Sequence, residues 1–479
     1  MELYVTVSGY TLSEFSHLTG WHQKLSETDL ITDHQQFPIP FIKSVLKLKM
    51  TKLYCLIDAT RFYSESTSIY KPEQRNLPVL VTAGQGISIA ANRVSTNLGI
   101  AKFIPIFQEI DKIRHHNGLI YKSNFSTYGH ISERFMLCIE KYAAMHGAVA
   151  FRYSVDEIFL SIDHITDISD IEEFASKLRR KVYKETGVAT ACGVGSTLTL
   201  SKAGSWAAKN IQGYSGQCII SNQKQADDIL KSMSLNSVWN IGERYSKHLT
   251  NDGITNAYQL KQSSAIDLQR RYTINIANVI HELNGLPVLR FDTIRQKKQQ
   301  IWSTRSYRDR LKTETALFSE LAYHCCNVML KVREQKSEAL KLSAFVSTSK
   351  FDTCPSFYRR VDIDLECGLS DSSFAIQKIR SVFDQLLPPS FHKQPVYKIG
   401  IGASVLLDAE RKQYDLFQSF DNKSILNETL DALNGKYGKG IITYASQQRK
   451  YNEESIDIEF KELEDYYTNV NDLLVVKCI

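Results

Sequence analysis

The sequence predicts a multidomain α+β protein, and three observations carry that reading. Residues 53 to 195 run strand, helix, hairpin, helix, strand, the order of a mixed sheet with helices packed on one face. Residues 233 to 290 then turn helical, and residues 300 to 406 alternate strands and helices again as a second small α+β unit. With 479 residues the chain exceeds one compact core and suffices for three or four domains.

Each element has a local reason. Leu53-Tyr54-Cys55-Leu56-Ile57 is a continuous apolar run, the pattern of a buried strand, and it ends at Asp58. The aromatic pair Phe62-Tyr63 follows. Val79-Leu80-Val81, after Pro78, reads as a short strand closed by the turn formers Gly84-Gln85-Gly86. Phe135, Met136, Ile139, Tyr142 and Ala143 recur at helical spacing, with Ser132 as the expected N-cap. Ala148 to Ile162 reads as two strands meeting near Asp156-Glu157, Ile168 to Thr186 as a helix and Thr190 to Gly195 as a strand. Further strands are expected over 302–311, 339–347, 358–365 and 397–407, with helices around 314–335 and 371–387 between them in pairs. Beyond 408 the chain turns polar and then acidic, with Glu453, Glu454, Asp457, Glu459, Glu462, Glu464 and Asp465 close together.

Hydrophobic residues at 43% and charged residues at 23% suit a globular protein and exclude wholesale disorder and a collagen-like chain. No run approaches the roughly 20 apolar residues of a bilayer span, so no membrane role is expected. The start, MELYVTVSGYTLSEF, lacks the basic-then-apolar order of a secretory signal, so the expected location is cytoplasmic. Nine scattered cysteines without a Cys-x-x-Cys pair suit reduced thiols better than a zinc or disulfide framework. The net charge of +6 permits a nucleic-acid partner without demanding one.

Asp58, Asp156 and Glu157 stand at strand edges where structure alone has little use for acids. Adjacent residues of a regular strand face opposite sides, so Asp156 and Glu157 share a site only where the strand bends, as at a hairpin. Phosphoryl transfer uses such clusters because magnesium prefers hard oxygen ligands. Two ions about 4 Å apart can lower the pKa of a 3′-hydroxyl and neutralise charge on a leaving pyrophosphate. The alternative is a solvated turn with two acids. The surrounding run Phe151 to Leu160 opposes it, since buried charge is costly unless a metal or counter-charge answers it.

Tyr153-Ser154-Val155-Asp156-Glu157-Ile158-Phe159 resembles the catalytic palm signature of the Y-family DNA polymerases, and Asp58-x-x-x-Phe62-Tyr63 resembles their opening motif. The resemblance covers about residues 50 to 447, in the order and spacing of the UmuC branch. It implies a right-hand polymerase with a ferredoxin-like palm (50–61 and 137–228), small fingers (62–136) and a helical thumb with a helix-hairpin-helix (229–294). An α+β little finger (295–407) and a clamp-binding, UmuC-type tail (408–479) complete it. The implied activity is error-prone synthesis past DNA lesions in the SOS response, by two-metal nucleotidyl transfer. Asp58, Ala59, Asp156 and Glu157 would hold two Mg²⁺ ions. Phe62, Tyr63, Arg93 and Lys209 would bind the dNTP, with Tyr63 as the steric gate that rejects a 2′-hydroxyl. The implied partners are primer-template DNA, the sliding clamp, a processed UmuD dimer and the RecA filament.

Other segments gain meaning from the same resemblance. Ser201-Lys202-Ala203 and Ala207-Ala208-Lys209-Asn210 lie on an expected helix, where the family's later lysine meets the triphosphate; a solvated helix face is the plain reading. Asn240-Ile241-Gly242 with Gly253-Ile254 resembles the helix-hairpin-helix, whose backbone approaches a phosphate without reading sequence. Ile241 and Gly242 are its expected DNA contacts. Thr304-Arg305-Ser306-Tyr307 resembles the opening strand of the little finger, which makes Arg305 and Tyr307 expected DNA contacts. Gln413-Tyr414-Asp415-Leu416-Phe417 has the form of a clamp-binding peptide, anchored by Gln413, Leu416 and Phe417.

The departures cluster in the fingers. Thr60 replaces an expected Asn or Asp, Thr67 an expected Glu, and Thr96 the basic residue that grips the triphosphate; Arg93 lies one helical turn away. Residues 1–49 have no counterpart in the family. Two other functions fit parts of the pattern: a catalytically weak, clamp-bound scaffold, and a palm-fold nucleotide cyclase. The retained acids argue against the first, and the expected DNA- and clamp-binding segments against the second.

Overall fold

Tyr54–Ala59 (β1) is apolar up to its last two positions and is buried along its whole length. The structure, a computed structural model, describes residues 52–83, 86–100, 102–290, 297–391, 393–411, 424–438, 440–447 and 460–463. After β1 the chain turns at Arg61, held in a left-handed conformation at φ 50°, into helix α1 (Phe62–Ile69). Strands β2 (Val79–Ala83) and β3 (Ile87–Ala91), short helices α2 (Arg93–Asn97) and α3 (Ile110–His115), and strand β4 (Leu119–Lys122) form a small unit around a sheet ordered β3-β2-β4. Helix α4 (Phe125–Met145) leads back.

The helix begins earlier than its apolar spacing suggests. Asn124 is its N-cap, accepting from the N–H groups of Ser126 and Thr127. Ser132 sits mid-helix instead, donating its hydroxyl to the Val155 carbonyl at 2.5 Å. Phe125, Tyr128 and Ile131 continue the apolar spacing into the first turns, but Ser, Thr, Gly and His between them dilute it.

Strands β5 (Val149–Arg152) and β6 (Glu157–Ser161) make the expected hairpin, followed by helix α5 (Ile168–Thr186), strand β7 (Thr190–Gly195), helix α6 (Leu198–Asn210), strand β8 (Gln217–Ile219) and helix α7 (Gln223–Ser232). The sheet order is β5-β6-β1-β7-β8, antiparallel except for β7 with β8. Alternation along β1 divides its faces. Cys55 and Ile57 join Phe135 and Ile139 of α4 and Leu178 and Val182 of α5 in one core, whereas Tyr54 and Leu56 pack with Phe159 and Leu198 on the other side.

Helices therefore cover both faces, not one. The reason is Gly193 and Gly195 in β7, which let α6 lie directly on strand backbone. A Cβ at Gly193 would collide with the backbone of Ser201 and Ser205. The core around β1 also takes in Phe62, Val79, Val81 and Tyr121, and α4 runs unbroken through position 136.

Helices α8 (Glu243–Asn251), α9 (Ala257–Gln262), α10 (Ala265–Arg271) and α11 (Ile274–Leu283) surround a second core that includes Leu249, Leu260, Leu268 and Ile280. The last unit is a four-stranded antiparallel sheet of β9 (Ile301–Leu311), β10 (Ser337–Ser347), β11 (Tyr358–Leu369) and β12 (Val396–Asp408), ordered β11-β10-β12-β9. Helices α12 (Glu314–Glu334), α13 (Ser372–Ser381) and α14 (Phe383–Leu386) supply the other half of its core. Helix α15 (Ser424–Tyr437) is tied on by Arg333, which donates to both carboxylate oxygens of Asp431. Among the described residues no helix is long and apolar enough to cross a membrane, and the cysteines are free.

Candidate active site

Antiparallel pairing of β1 with β6 puts Asp58 directly opposite Glu157, and cross-strand partners project from the same face. That face is the one covered by α6. Asp156 occupies the turn before β6, where the N–H groups of Tyr153 and Ser154 both donate to the Glu157 carbonyl, at 3.0 and 3.1 Å. The bend lets Asp156 reach the same space as its neighbour: all three acids line one cavity of about 1340 Å³. The turn is locked to β1, because the Ala59 N–H donates to the Asp156 carbonyl at 2.8 Å. The Asp156 carboxylate accepts from the Ser154 hydroxyl at 2.7 Å.

Two lysines of α6 answer the other acids. Lys202 Nζ lies 2.7 Å from Glu157, and Lys209 Nζ lies 2.5 Å from Asp58, which also accepts from Ser205 at 3.4 Å. Lys202, Ser205 and Lys209 are spaced i, i+3, i+7, a single stripe of the helix facing the sheet. Lys202 is also 4.5 Å from the ring centroid of Tyr153 and 5.3 Å from that of Trp239, whose indole N–H donates to the Tyr153 hydroxyl. Burial pushes the Glu157 carboxyl above the usual carboxylate range; Lys202 opposes the rise, and the nearby charges of Asp58 and Asp156 add to it.

The cavity is also lined by Ala59, Phe62, Tyr63, Arg93 and Lys209. Tyr63 packs edge-on to Phe62 and Phe125 and 4.9 Å from the Tyr128 ring centroid, so its ring is wedged in one orientation. Burial, and then the Asp156 charge, raise its phenol pKa, so it stays neutral. Arg93 reaches the cavity from the start of α2, whereas the Thr96 hydroxyl turns back to the Asn92 carbonyl and lines none of it. Arg61, Lys102 and Arg179 line it as well, and no motif pointed to them.

For magnesium, the donor chemistry fits: three hard-oxygen carboxylates share one cavity wall. Among the described residues no three acid, His or Cys groups stand as a ready-made ligand set, and the lysines hold Asp58 and Glu157 instead.

Residues 57–205 match the impB/mucB/samB family, and residues 298–416 match that family's C-terminal domain. Protein UmuC of Salmonella typhimurium is 27% identical over 437 residues, covering 89% of this chain and all of that protein. Protein SamB of the same species is 28% identical, covering 64% of this chain and 72% of SamB. DNA polymerase IV of Dehalococcoides mccartyi is 22% identical, covering 80% of this chain and 94% of that protein. A Y-family DNA polymerase chimera of Dbh and Dpo4 shares the fold, with a TM-score of 0.60, 14% identity and coverage of 73% of this chain and 98% of the chimera. The chain belongs to the UmuC-like Y-family DNA polymerases. Its enzyme class is DNA-directed DNA polymerase.

In this polymerase the expected DNA contacts divide. Gly242 is exposed and caps α8 without a side-chain partner, leaving the first N–H groups of that nine-residue helix open to an anion. Ile241 is buried, and its N–H already donates to the Val238 carbonyl, so it supports the turn. Tyr307 requires correction as a DNA contact. It is fully buried, and its hydroxyl donates to Glu320 at 2.6 Å, because its strand position faces α12. Arg305 pairs in register with the fully buried Ile399 and so leaves the sheet on the helix-covered side, half-buried beside the Tyr307 ring. Arg310 is held by Asp352 and Lys297 by Asp408. Gln413, Leu416 and Phe417, the residues expected to bind a clamp, lie outside the described residues, as do residues 1–49.

Proposed function

We propose that this polymerase extends primers past lesions in the SOS response, using Asp58, Asp156 and Glu157 with Ala59 to hold two Mg²⁺ ions. What supports this most is the register of Asp58 with Glu157, with Asp156 in the adjoining turn, beneath a cavity walled by Tyr63. Bound there, the ions would lower the pKa of the primer 3′-hydroxyl and stabilise charge on pyrophosphate. The chain's own residues do the rest. Lys209 and Lys202 neutralise the acids until nucleotide and metal arrive, and Lys209 then turns to the triphosphate. Arg93 supplies the fingers-side cation that Thr96 cannot. Tyr63 stacks under the deoxyribose and leaves no room for a 2′-hydroxyl. Gly242 and its helix N-terminus take a backbone phosphate. Small fingers built around a three-stranded sheet press little on the nascent pair, so discrimination is weak.

Partners follow the same reading: Gln413, Leu416 and Phe417 for the sliding clamp, with a processed UmuD dimer and the RecA filament as cofactors of synthesis. The test is primer extension past an abasic site by the full chain with all three partners and Mg²⁺. Extension that disappears in Asp156→Ala supports the proposal. Retained primer-template binding without extension in the unaltered chain would instead support a scaffold.

Two substitutions test the nucleotide side. Tyr63→Ala should admit ribonucleotides, narrowing dNTP-over-rNTP discrimination by on the order of 10²-fold in single-insertion assays. Unchanged discrimination would remove Tyr63 as the gate. Arg93→Ala should raise the KM for dNTP by roughly tenfold or more, as expected for losing a charge-assisted contact, with a smaller change in kcat. An unchanged KM would leave the fingers without their substitute cation.

A further inference from the structure

We propose that Phe460–Leu463, near the C-terminus, is a strap that closes the open edge of the fingers sheet and pins the fingers to the palm. Strand β4 is an edge strand, so the Ile120 carbonyl and the Lys122 N–H on its outer side have no partner within the sheet. Lys461 meets both. Its N–H donates to Ile120 O at 2.7 Å, and its carbonyl accepts from the Lys122 N–H at 2.9 Å, the parallel bridge pattern around Tyr121. The segment thus adds one rung to the sheet by main-chain pairing, the mode by which extended peptides bind sheet edges.

Side chains make the docking specific. Phe460 packs against the fingers cluster of Leu80, Ile100, Ile106, Ile113 and Ile120. Leu463 is 4% exposed and enters the core that holds Ile57 and Ile158 of the palm sheet together with Val79 and Tyr121 of the fingers. Its carbonyl accepts from Asn124 Nδ2 at 2.8 Å, and Asn124 also caps α4. Glu462 pairs with Lys122 at 2.8 Å on the surface, and that charge holds its carboxyl below the usual range. An exposed pair adds little, so the two apolar anchors and the main-chain bonds carry the contact. The entropy lost in ordering the segment opposes that gain.

The consequence for synthesis rests on the polymerase assignment: strapped fingers hold Arg93 over the cavity, and released fingers bind dNTP more weakly. The docking itself is tested without activity. Hydrogen exchange on the full chain should show the β4 amides protected. Lys461→Pro deletes the N–H that bonds Ile120, and Leu463→Asp charges the buried anchor. Each should speed exchange across Leu119–Lys122 by tenfold or more, leaving the thumb and little finger unchanged. A peptide of residues 459–465 added to either variant should restore protection, and the dNTP KM should rise and fall with it. Unchanged exchange in both variants would overturn the strap. Protection that depends on protein concentration would assign the strand to a second copy and overturn it equally.

Discussion

Asp156→Asn is expected to cut nucleotide insertion by about 10³-fold or more while leaving primer-template binding intact or improved. The magnitude is that of losing several kcal/mol of charge stabilisation in the transition state. The substitution is nearly isosteric, and the features that hold the turn are main-chain: the Asp156 carbonyl still accepts from the Ala59 N–H, and the Glu157 carbonyl from Tyr153 and Ser154. The fold therefore survives. Removing a negative charge from a cavity that must admit a polyanion also favours DNA. Single-turnover insertion, fluorescence anisotropy with labelled primer-template and thermal unfolding together read the three quantities. If DNA binding falls in step with insertion, Asp156 is a structural residue, and the proposal for all three acids loses its centre.

Gly193→Ala is expected to be the most damaging small change outside the acids. Its Cβ would fall on the backbone of Ser201 and Ser205, and a helix backbone packed on a strand has nowhere to retreat. Overpacking typically costs about 1–3 kcal/mol, and collision with backbone rather than side chain puts this site at or beyond the upper end. Shifting α6 would also carry Lys202, Ser205 and Lys209 away from Glu157 and Asp58, so activity should fall even where folding survives. Gly129→Ala supplies the opposite sign. That glycine is exposed within α4 with nothing within 4 Å of its ideal Cβ, and the change should stabilise by about 0.5–1 kcal/mol. Chemical denaturation of both variants measures the contrast. Equal stability for Gly193→Ala and the unaltered chain would mean that α6 does not lie on β7 as described.

Much of the site was legible because its chemistry breaks a pattern. Asp58 ends an apolar strand, and Asp156-Glu157 interrupts another, so each acid stands out against residues that burial explains. The requirement for a bend between Asp156 and Glu157 was also readable, since strand alternation forbids two adjacent residues from sharing a face. Lys202 was harder to find, because a lysine on a helix is commonly a solvated one. Its i, i+7 relation to Lys209 was the available signal. Tyr307 misled for a similar reason: a strand next to basic residues suggests contact with DNA, but periodicity alone does not say which face the helices cover.

Local pattern, by itself, determined where α5 and β7 begin and end, located β1 and the β5–β6 hairpin, and singled out the three acids that meet at one cavity. These follow from interactions within a few residues: apolar runs, turn formers and helical spacing. Only the tertiary structure decided that Asp58 meets Glu157 in register, that α6 covers the second face of the sheet, and that Tyr307 is core. Only the tertiary structure, too, brings Phe460–Leu463 back to a strand more than three hundred residues earlier. Such pairings depend on which surfaces find each other when the chain collapses, and burial of an edge or a face leaves no periodic mark in the sequence that supplies its partner.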